Sequence, residues 1–137
     1  MSVNRPARTS VSVVAAIIER NGSVLVCQRS RRDSHALKWE FPGGKVEPGE
    51  SPRAALEREL EEELAIQARI GPEIAHFTHQ YEGRPPLRLI FYRVKEFQGE
   101  PENRVFEQIR WELPARLLQY DFVEADAGLV RQLAGGP

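Results

Sequence analysis

The sequence is poor in cysteine and has no long apolar run. Its single cysteine, Cys27, cannot form an internal disulfide and lies in an apolar stretch, which favours a reducing compartment. No stretch approaches the roughly 20 apolar residues of a membrane span, and the polar opening MSVNRPARTS lacks an apolar signal core. We therefore expect a cytoplasmic protein with no membrane partner.

A strong excess of charge of either sign is also missing. The 19 lysines and arginines nearly balance the 20 acidic residues, which gives a net charge of −1. Long nucleic acids and anionic membranes are bound through broad basic patches, so neither is an expected partner. A phosphate-rich ligand would have to be met locally, by a metal ion and a few cationic side chains.

The length and composition are typical of one globular domain. With 137 residues, of which 41% are hydrophobic and 28% charged, the chain can bury a sizeable core. We expect a single domain over residues 1–137, in which residues 1–9 form a loose lead-in.

Apolar patterning predicts strands on either side of one helix, and a second helix at the end. Residues 11–18 (VSVVAAII) form an apolar run of strand length, typical of a strand buried on both faces. Asn21 and Gly22 predict a tight turn, after which residues 23–29 return as a partner strand. Further strands are predicted at residues 39–41, 73–81, 87–97 and 106–111, and the last helix at residues 123–133. This order favours an α/β fold in which a mixed β-sheet is sandwiched between α-helices.

The central helix is predicted within residues 43–66, which read GGKVEPGESPRAALERELEEELAI. Ser51 can cap a helix, and Pro52 suits its first position, where a backbone N–H is not needed. From residue 53 to residue 64 the chain contains good helix formers without glycine or β-branched residues. Leucines at positions 56, 60 and 64 would form a stripe that faces the core.

Five of the seven residues from 57 to 63 are glutamates, which is an unusual charge placement. Glu59, Glu62 and Glu63 stand at i, i+3 and i+4, so their side chains project from one face of the helix. Exposed like charges at this spacing repel by roughly 0.2–0.5 kcal/mol per pair. One interpretation is a solvated acidic face. The other is a site for a divalent cation, since Mg²⁺ prefers oxygen ligands and would cancel the repulsion.

The spacing of this stretch resembles the Nudix box of the Nudix hydrolases. The matching elements are Gly44, Glu50 and the run RELEEELAI over residues 58–66. Ala65 departs from the motif, because the family usually has glycine there. The resemblance implies the Nudix fold, an α/β/α arrangement that agrees with the strand and helix pattern.

The resemblance extends beyond the box. The run WEFPGGK at residues 39–45, the opening VVAAIIER and the tail DFVEAD are similar to the MutT-type branch, which removes oxidised guanine nucleotides. The branch that cleaves CTP and modified pyrimidine triphosphates is also similar. These likenesses imply a Mg²⁺-dependent nucleoside triphosphate pyrophosphohydrolase that releases a nucleoside monophosphate and pyrophosphate and sanitises nucleotides such as 8-oxo-dGTP. The alternatives are a pyrophosphohydrolase for CTP or 5-methyl-dCTP, and a catalytically silent module that binds nucleotides.

Site residues follow from the same resemblance, position by position. The catalytic set would be Glu59, Glu62, Glu63 and Arg58. The three glutamates and the backbone carbonyl of Gly43 would hold Mg²⁺, for which Mn²⁺ could substitute. The expected nucleotide-binding residues are Arg29, His35, Glu40, Phe41, Pro42, Gly43, Gly44, Lys45 and Asp126. The only expected partner is this small-molecule substrate, and the protein is expected to be a monomer or dimer.

Two positions leave alternatives open. Asp126 stands where MutT has the asparagine that recognises the base, so it could read the base or merely cap the last helix. The family often has a further metal-binding glutamate six residues before a tryptophan, but counting back from Trp111 gives Val105. Either Glu102 or Glu107 substitutes, or the site has one ligand fewer.

Overall fold

The computed structural model describes residues 10–135. The lead-in predicted for residues 1–9 lies outside this range. The elements in chain order are β1 (Val11–Arg20), β2 (Ser23–Gln28), β3 (Trp39–Glu40), β4 (Gly43–Lys45), α1 (Pro52–Leu64), β5 (Gln67–Arg69), β6 (Glu73–His79), β7 (Leu87–Val94), β8 (Glu96–Gln98), β9 (Gln108–Glu112), a 3₁₀ helix (Pro114–Gln119) and α2 (Glu124–Gly135). In this part of the chain, neither helix is long and apolar enough to cross a membrane.

The main sheet is mixed, as predicted. Its strands lie in the order β3-β2-β1-β7-β6, with β4 pairing beside β1 and β9 pairing beside β2. β1 and β7 run parallel, with Val11 opposite Leu87 and Ile18 opposite Val94. The pairs formed by β2 with β1, β3 and β9, and the pair of β6 with β7, are antiparallel. β5 and β8 form a separate two-stranded sheet.

Helices cover both faces of the main sheet, which confirms the predicted fold class. Alternate residues of β1 point to opposite faces. Val14, Ala16 and Ile18 join the core under α1, while Ala15 and Ile17 join the core under α2. The leucine stripe of α1 is fully buried, as its four-residue spacing predicts. Leu129 and Val130 supply the matching contacts from α2.

Both ends of α1 are anchored, and this fixes the position of its glutamates. The Ser51 hydroxyl oxygen accepts a hydrogen bond from the N–H of Ala54 at 3.1 Å, so the predicted cap forms. At the other end, the N–H groups of Glu102 and Arg104 donate to the carbonyls of Leu64 and Glu63. The loop that precedes β9 therefore satisfies carbonyl groups that a helix end leaves unpaired.

Three predicted elements differ from the observed ones. The strand predicted at residues 87–97 divides into β7 and β8, because the chain beyond Val94 leaves the main sheet to pair with β5. The strand predicted from residue 106 begins at Gln108, because the Phe106 N–H is bonded to the side chain of Asn103 in a turn. Residues 43–45, where no strand is predicted, form β4 against β1.

Ala65 ends α1 in a left-handed conformation, with φ 59° and ψ 29°. A side chain is disfavoured there by roughly 1–2 kcal/mol, whereas glycine adopts this conformation freely. We expect Ala65→Gly to raise the free energy of unfolding by about 1 kcal/mol, as measured by urea denaturation. Ala54→Gly, an exposed exchange within the helix, is the control and should lower it by up to about 1 kcal/mol. Destabilisation by Ala65→Gly would contradict this account of the helix end.

Candidate active site

A pair of glycines brings the backbone of β4 against the acidic face of α1. Gly43 pairs with Ala15 and Gly44 with Val14 across the two strands. A side chain on Gly43 would collide with the carbonyl oxygen of Val14, and a Cβ on Gly44 would lie 2.5 Å from Oε2 of Glu59. Only glycines therefore allow this close approach of strand, sheet and carboxylate.

Arg58 joins three carboxylates around this backbone. Its Nη2 lies 2.7 Å from Oε1 of Glu50, and its Nη1 lies 2.6 Å from Oε1 of Glu59 and 3.4 Å from Oε2 of Glu62. Glu50 also accepts the N–H of Glu47 at 2.8 Å, which ties the loop before α1 to the helix. These contacts raise the pKa of the Arg58 guanidinium, Glu50 first and Glu59 next. Arg58 thus compensates part of the repulsion and holds the carboxylates in place.

Glu63 has no such cationic partner in the part of the chain that the structure describes. Its Oε1 accepts a hydrogen bond from the N–H of Gly43 at 3.2 Å. Burial, and then the neighbouring Glu59 and Glu40 carboxylates, raise the pKa of Glu63 to about 9. Burial also raises the pKa of Glu59, against the opposing effect of Arg58. Ionising all of these carboxyl groups together is therefore unfavourable, and Arg58 compensates only part of that cost.

The donor set fits a hard divalent cation in its chemistry. All the candidate donors are oxygen atoms, which Mg²⁺ and similar ions prefer. Glu59 and Glu63 both reach the backbone of β4, whereas the Glu62 side chain is 59% exposed and turned towards Arg58. Over residues 10–135, no three acidic, histidine or cysteine side chains are gathered closely enough to enclose an ion. For Glu62 to join Glu59 and Glu63 around a cation, its carboxylate would have to turn away from Arg58.

A cleft of about 740 Å³ extends from the acidic site to the first turn of α2. This volume suits a small-molecule ligand. The predicted residues that line it are Arg29, His35, Glu40, Phe41, Gly43, Gly44, Lys45, Glu63 and Asp126. The lining does not include Pro42, Arg58, Glu59 and Glu62. A wider depression of about 880 Å³ lies by the turn between β1 and β2, and it contains none of the predicted residues.

Hydrogen bonds to neighbouring residues fix the side chain of Arg29 at one wall of the cleft. Its Nε donates to the carbonyl of Ser34 at 2.7 Å, and its Nη1 to Oε1 of Glu40 at 2.8 Å. Burial raises the pKa of Glu40, and the charge of Arg29 opposes that rise. Arg29 therefore orders the loop that carries His35, so the structure connects these two predicted residues.

Asp126 lies at the other end of the cleft and is only 5% exposed. Its Oδ2 accepts the N–H of Phe41, a residue outside α2, at 2.9 Å. Burial raises the pKa of Asp126 to about 7, with a smaller contribution from Glu40 and an opposing one from the Phe41 N–H. The ring of Phe41 packs against Phe91 and Phe122, so it belongs to the core and also lines the cleft.

Residues that the sequence did not indicate form the opposite wall. Tyr81, Glu82 and Arg84 line the cleft from the turn between β6 and β7. The sequence shows there only a polar turn, and nothing in its pattern indicates that this turn folds over residues 35–45. The sequence signal that was available is weaker: the strand predicted at residues 73–81 ends in an aromatic residue, Tyr81.

Val105 occupies the position of the expected further glutamate, and its apolar side chain is 51% exposed. Of its possible substitutes, Glu107 pairs with Arg31 at 3.2 Å. The backbone N–H of Glu102 donates to the carbonyl of Leu64 at the end of α1. A metal-binding role for either residue stays a prediction.

Comparison with known proteins identifies the family. The NUDIX domain model matches residues 8–133. The CTP pyrophosphohydrolase of Escherichia coli is 42% identical over 120 residues, which cover 88% of each chain. A putative 8-oxo-dGTP diphosphatase 2 of Mycobacterium tuberculosis is 43% identical over 129 residues, covering 89% of this chain and 86% of the relative. A solved structure described as MutT from Aliivibrio salmonicida and Vibrio cholerae has a TM-score of 0.79 at 33% identity, covering 93% of this chain and 98% of the other.

The chain therefore belongs to the Nudix family, and it is a hydrolase of that family. This confirms the predicted membership, including the likeness to MutT-type proteins. A divalent metal ion is the cofactor that Nudix hydrolases generally use.

The two glycines of β4 should respond differently to substitution. Gly44→Ala meets the flexible end of Glu59, so the fold should survive while the affinity for a divalent cation, measured by calorimetry, falls by about tenfold or more. Gly43→Ala meets backbone and should lower the melting temperature. Unchanged metal affinity in a folded Gly44→Ala variant would contradict the placement of Glu59.

The raised pKa of Asp126 should make stability fall with rising pH. This pKa is about 7 in the folded chain and about 3.9 in an unfolded one. At pH values between these two, the folded state therefore binds a proton at Asp126 that the unfolded state has lost. Its stabilising contribution should therefore be lost as the pH rises from about 4 through about 7. Urea denaturation at about pH 5 and about pH 8 should show a smaller difference for Asp126→Asn than for the wild type.

The control for this measurement is Asp33→Asn, an exchange at an exposed aspartate. It should keep the wild-type difference between the two pH values. If Asp126→Asn shows the same difference in stability between the two pH values as the wild type, the Asp126 carboxyl group is not the source of that difference.

Proposed function

We propose that the protein is a Mg²⁺-dependent nucleoside triphosphate pyrophosphohydrolase that acts on 8-oxo-dGTP. One observation carries this proposal: a single cleft is lined by Glu63, beside the acidic face of α1, at one end and by the buried carboxyl group of Asp126 at the other. Glu63 and Asp126 bind the N–H groups of Gly43 and Phe41, two residues apart in the chain. A nucleotide lying along residues 41–43 would place its phosphates and its base at these two ends.

The acidic end supports hydrolysis of a phosphoanhydride. We propose that Glu59, Glu62, Glu63 and the Gly43 carbonyl hold Mg²⁺, or Mn²⁺ in its place. A bound divalent cation neutralises phosphate oxygens and lowers the pKa of a water molecule. Arg58 holds Glu59 in position for this, as its 2.6 Å contact supports. Either Glu59 or Glu63 accepts the proton of the attacking water, and a nucleoside monophosphate and pyrophosphate are released.

The cationic groups of the cleft support a role in binding phosphate. Arg29 and Lys45 line it near the glutamates. The guanidinium of Arg29 is planar and donates paired hydrogen bonds, which suits phosphate oxygens. In the structure this guanidinium donates hydrogen bonds to Ser34 and Glu40. If Arg29 binds the substrate, these contacts would be replaced by contacts with the nucleotide.

Asp126 supports the choice of base. When ionised it is only a hydrogen-bond acceptor. In this ionised form it can accept from the N1–H and the amino group of guanine, including the 8-oxo form, and it has no proton to donate to the O4 of thymine. A relative named putative 8-oxo-dGTP diphosphatase 2 is consistent with this preference.

A second candidate function is the hydrolysis of CTP or 5-methyl-dCTP. The cytosine amino group is also a donor that Asp126 can accept, and another relative is named CTP pyrophosphohydrolase. The chemistry at the glutamates would be the same. Only the base, and hence the biological role, would differ.

The test is pyrophosphate and phosphate release from 8-oxo-dGTP, dGTP, dCTP, 5-methyl-dCTP, CTP and ADP-ribose, with and without Mg²⁺. We expect Mg²⁺-dependent pyrophosphate release and the largest kcat/KM for 8-oxo-dGTP. A preference for cytosine nucleotides would favour the second candidate. Nucleotide binding without turnover in saturating Mg²⁺ and Mn²⁺ would instead favour the catalytically silent module.

Glu63→Gln tests the proposed metal-binding role within the same assay. It keeps the shape of the side chain but removes its charge, so we expect turnover to become nearly undetectable while the fold remains intact. Glu61→Gln is the matched control, because Glu61 is an exposed glutamate of the same helix outside the proposed set. Full activity in a folded Glu63→Gln variant would exclude Glu63 as a metal ligand.

A further inference from the structure

The side chain of His79 is an unusual feature beside the cleft. Its Nε2 is inaccessible to solvent and has no hydrogen-bond partner among residues 10–135. A buried ring nitrogen without a partner is unfavourable, so the position needs another explanation. The imidazole ring packs edge to face against Tyr81, with 4.3 Å between ring centroids and an interplanar angle of 74°. His79 therefore acts here as an aromatic surface and not as a hydrogen-bonding group.

Tyr81 connects three separate parts of the cleft wall. It follows β6 and lines the cleft. Its ring lies 5.6 Å from the ring of His35, which belongs to the loop that Arg29 holds. Tyr81 lines this cleft together with Ala125, one residue before Asp126. Tyr81 thus lies beside the loop after β2 and shares the cleft with the start of α2.

These contacts place Tyr81 at the nucleoside end of the cleft. Ala125 adjoins Asp126, whereas the glutamates lie at the other end, beside Gly43. An aromatic ring at such a position can cover a base, because every base has a π-face on which the ring can stack. Tyr81 and His35 both line the cleft, with 5.6 Å between their ring centroids, so a nucleoside that enters here meets this pair of rings.

We propose that His79, Tyr81 and His35 form an aromatic bridge over the cleft, in which His79 is a positioning residue that holds Tyr81 against the nucleoside part of the substrate. This inference rests on the proposed function, since it takes the ligand of the cleft to be a nucleotide. The bridge acts on binding and not on the reacting phosphate. Its loss should therefore raise KM and leave kcat nearly unchanged.

Steady-state kinetics of four variants test the bridge. Tyr81→Ala should raise KM by about tenfold, the size of effect expected when one base–aromatic contact is lost. His79→Ala should raise KM in the same direction. Because His79 is inferred to act through Tyr81, the double variant should have the KM of Tyr81→Ala alone. His79→Phe keeps a ring at the position and should restore a KM close to the wild-type value.

His76→Ala is the matched control for these variants. His76 lies on the same strand, but its side chain is exposed and does not line the cleft. It should leave both kinetic constants unchanged. A wild-type KM for His79→Ala, or independent additive effects of His79→Ala and Tyr81→Ala, would overturn the inference.

A binding measurement separates failure of this inference from failure of the proposed function. With EDTA present to prevent hydrolysis, dGTP is titrated against the protein while the ring protons of Tyr81 are followed by NMR. Binding of dGTP should shift the Tyr81 signals, and this shift should be smaller in the His79→Ala variant than in the wild type. That result would support the bridge even if no turnover is found. Binding of dGTP that leaves the Tyr81 signals unmoved would overturn the bridge alone, whereas no binding of dGTP would overturn both the bridge and the proposed function.

Discussion

The close approach of β4 to α1 is the constraint on which the rest of the site depends. Two glycines let the strand lie where any side chain would collide with Val14 or Glu59. The carboxylates then meet the backbone in a partly buried place, and their mutual repulsion is only partly offset by Arg58. The fold thus gathers carboxyl groups at a point where ionising all of them together is unfavourable. A helix anchored at both ends and packed by a buried leucine stripe is what makes this tolerable.

The segment of residues 41–43 links this acidic site to the far end of the cleft. Phe41 gives its N–H to Asp126 of α2, and Gly43 gives its N–H to Glu63 of α1. Each helix therefore contributes one buried carboxyl group to the same short piece of chain, from opposite faces of the sheet. Because both groups share this piece, their separation is set by the backbone and not by flexible side chains. Such rigidity is suited to a ligand that is recognised at two distant points.

Local signals made much of this predictable from the sequence. The spacing of Leu56, Leu60 and Leu64 predicted the buried face of α1, and Ser51 predicted where that helix begins. The glutamate spacing indicated the acidic face, although not that Arg58 would hold Glu62 away from the backbone. The roles of the individual site residues remain predictions.

Other features could not be predicted because they depend on contacts between distant segments. The division of the strand after Val94 is set by pairing with β5, which no local pattern reveals. The wall formed by Tyr81 and Arg84 becomes visible only when the turn after β6 is placed over the loop after β2. The bond from Phe41 to Asp126 likewise joins residues far apart in the chain.

The parallel pairing of β1 with β7 has a consequence for the order in which the molecule can be assembled. The proposed metal ligands all lie between Gly43 and Glu63, so a chain growing from its N-terminus contains them early. Their geometry, however, depends on β4 lying against β1, and β1 gains its longest pairing only with β7. Such non-local pairings form slowly, because the intervening chain must first be brought together. A growing chain would therefore possess every ligand well before it possesses the site.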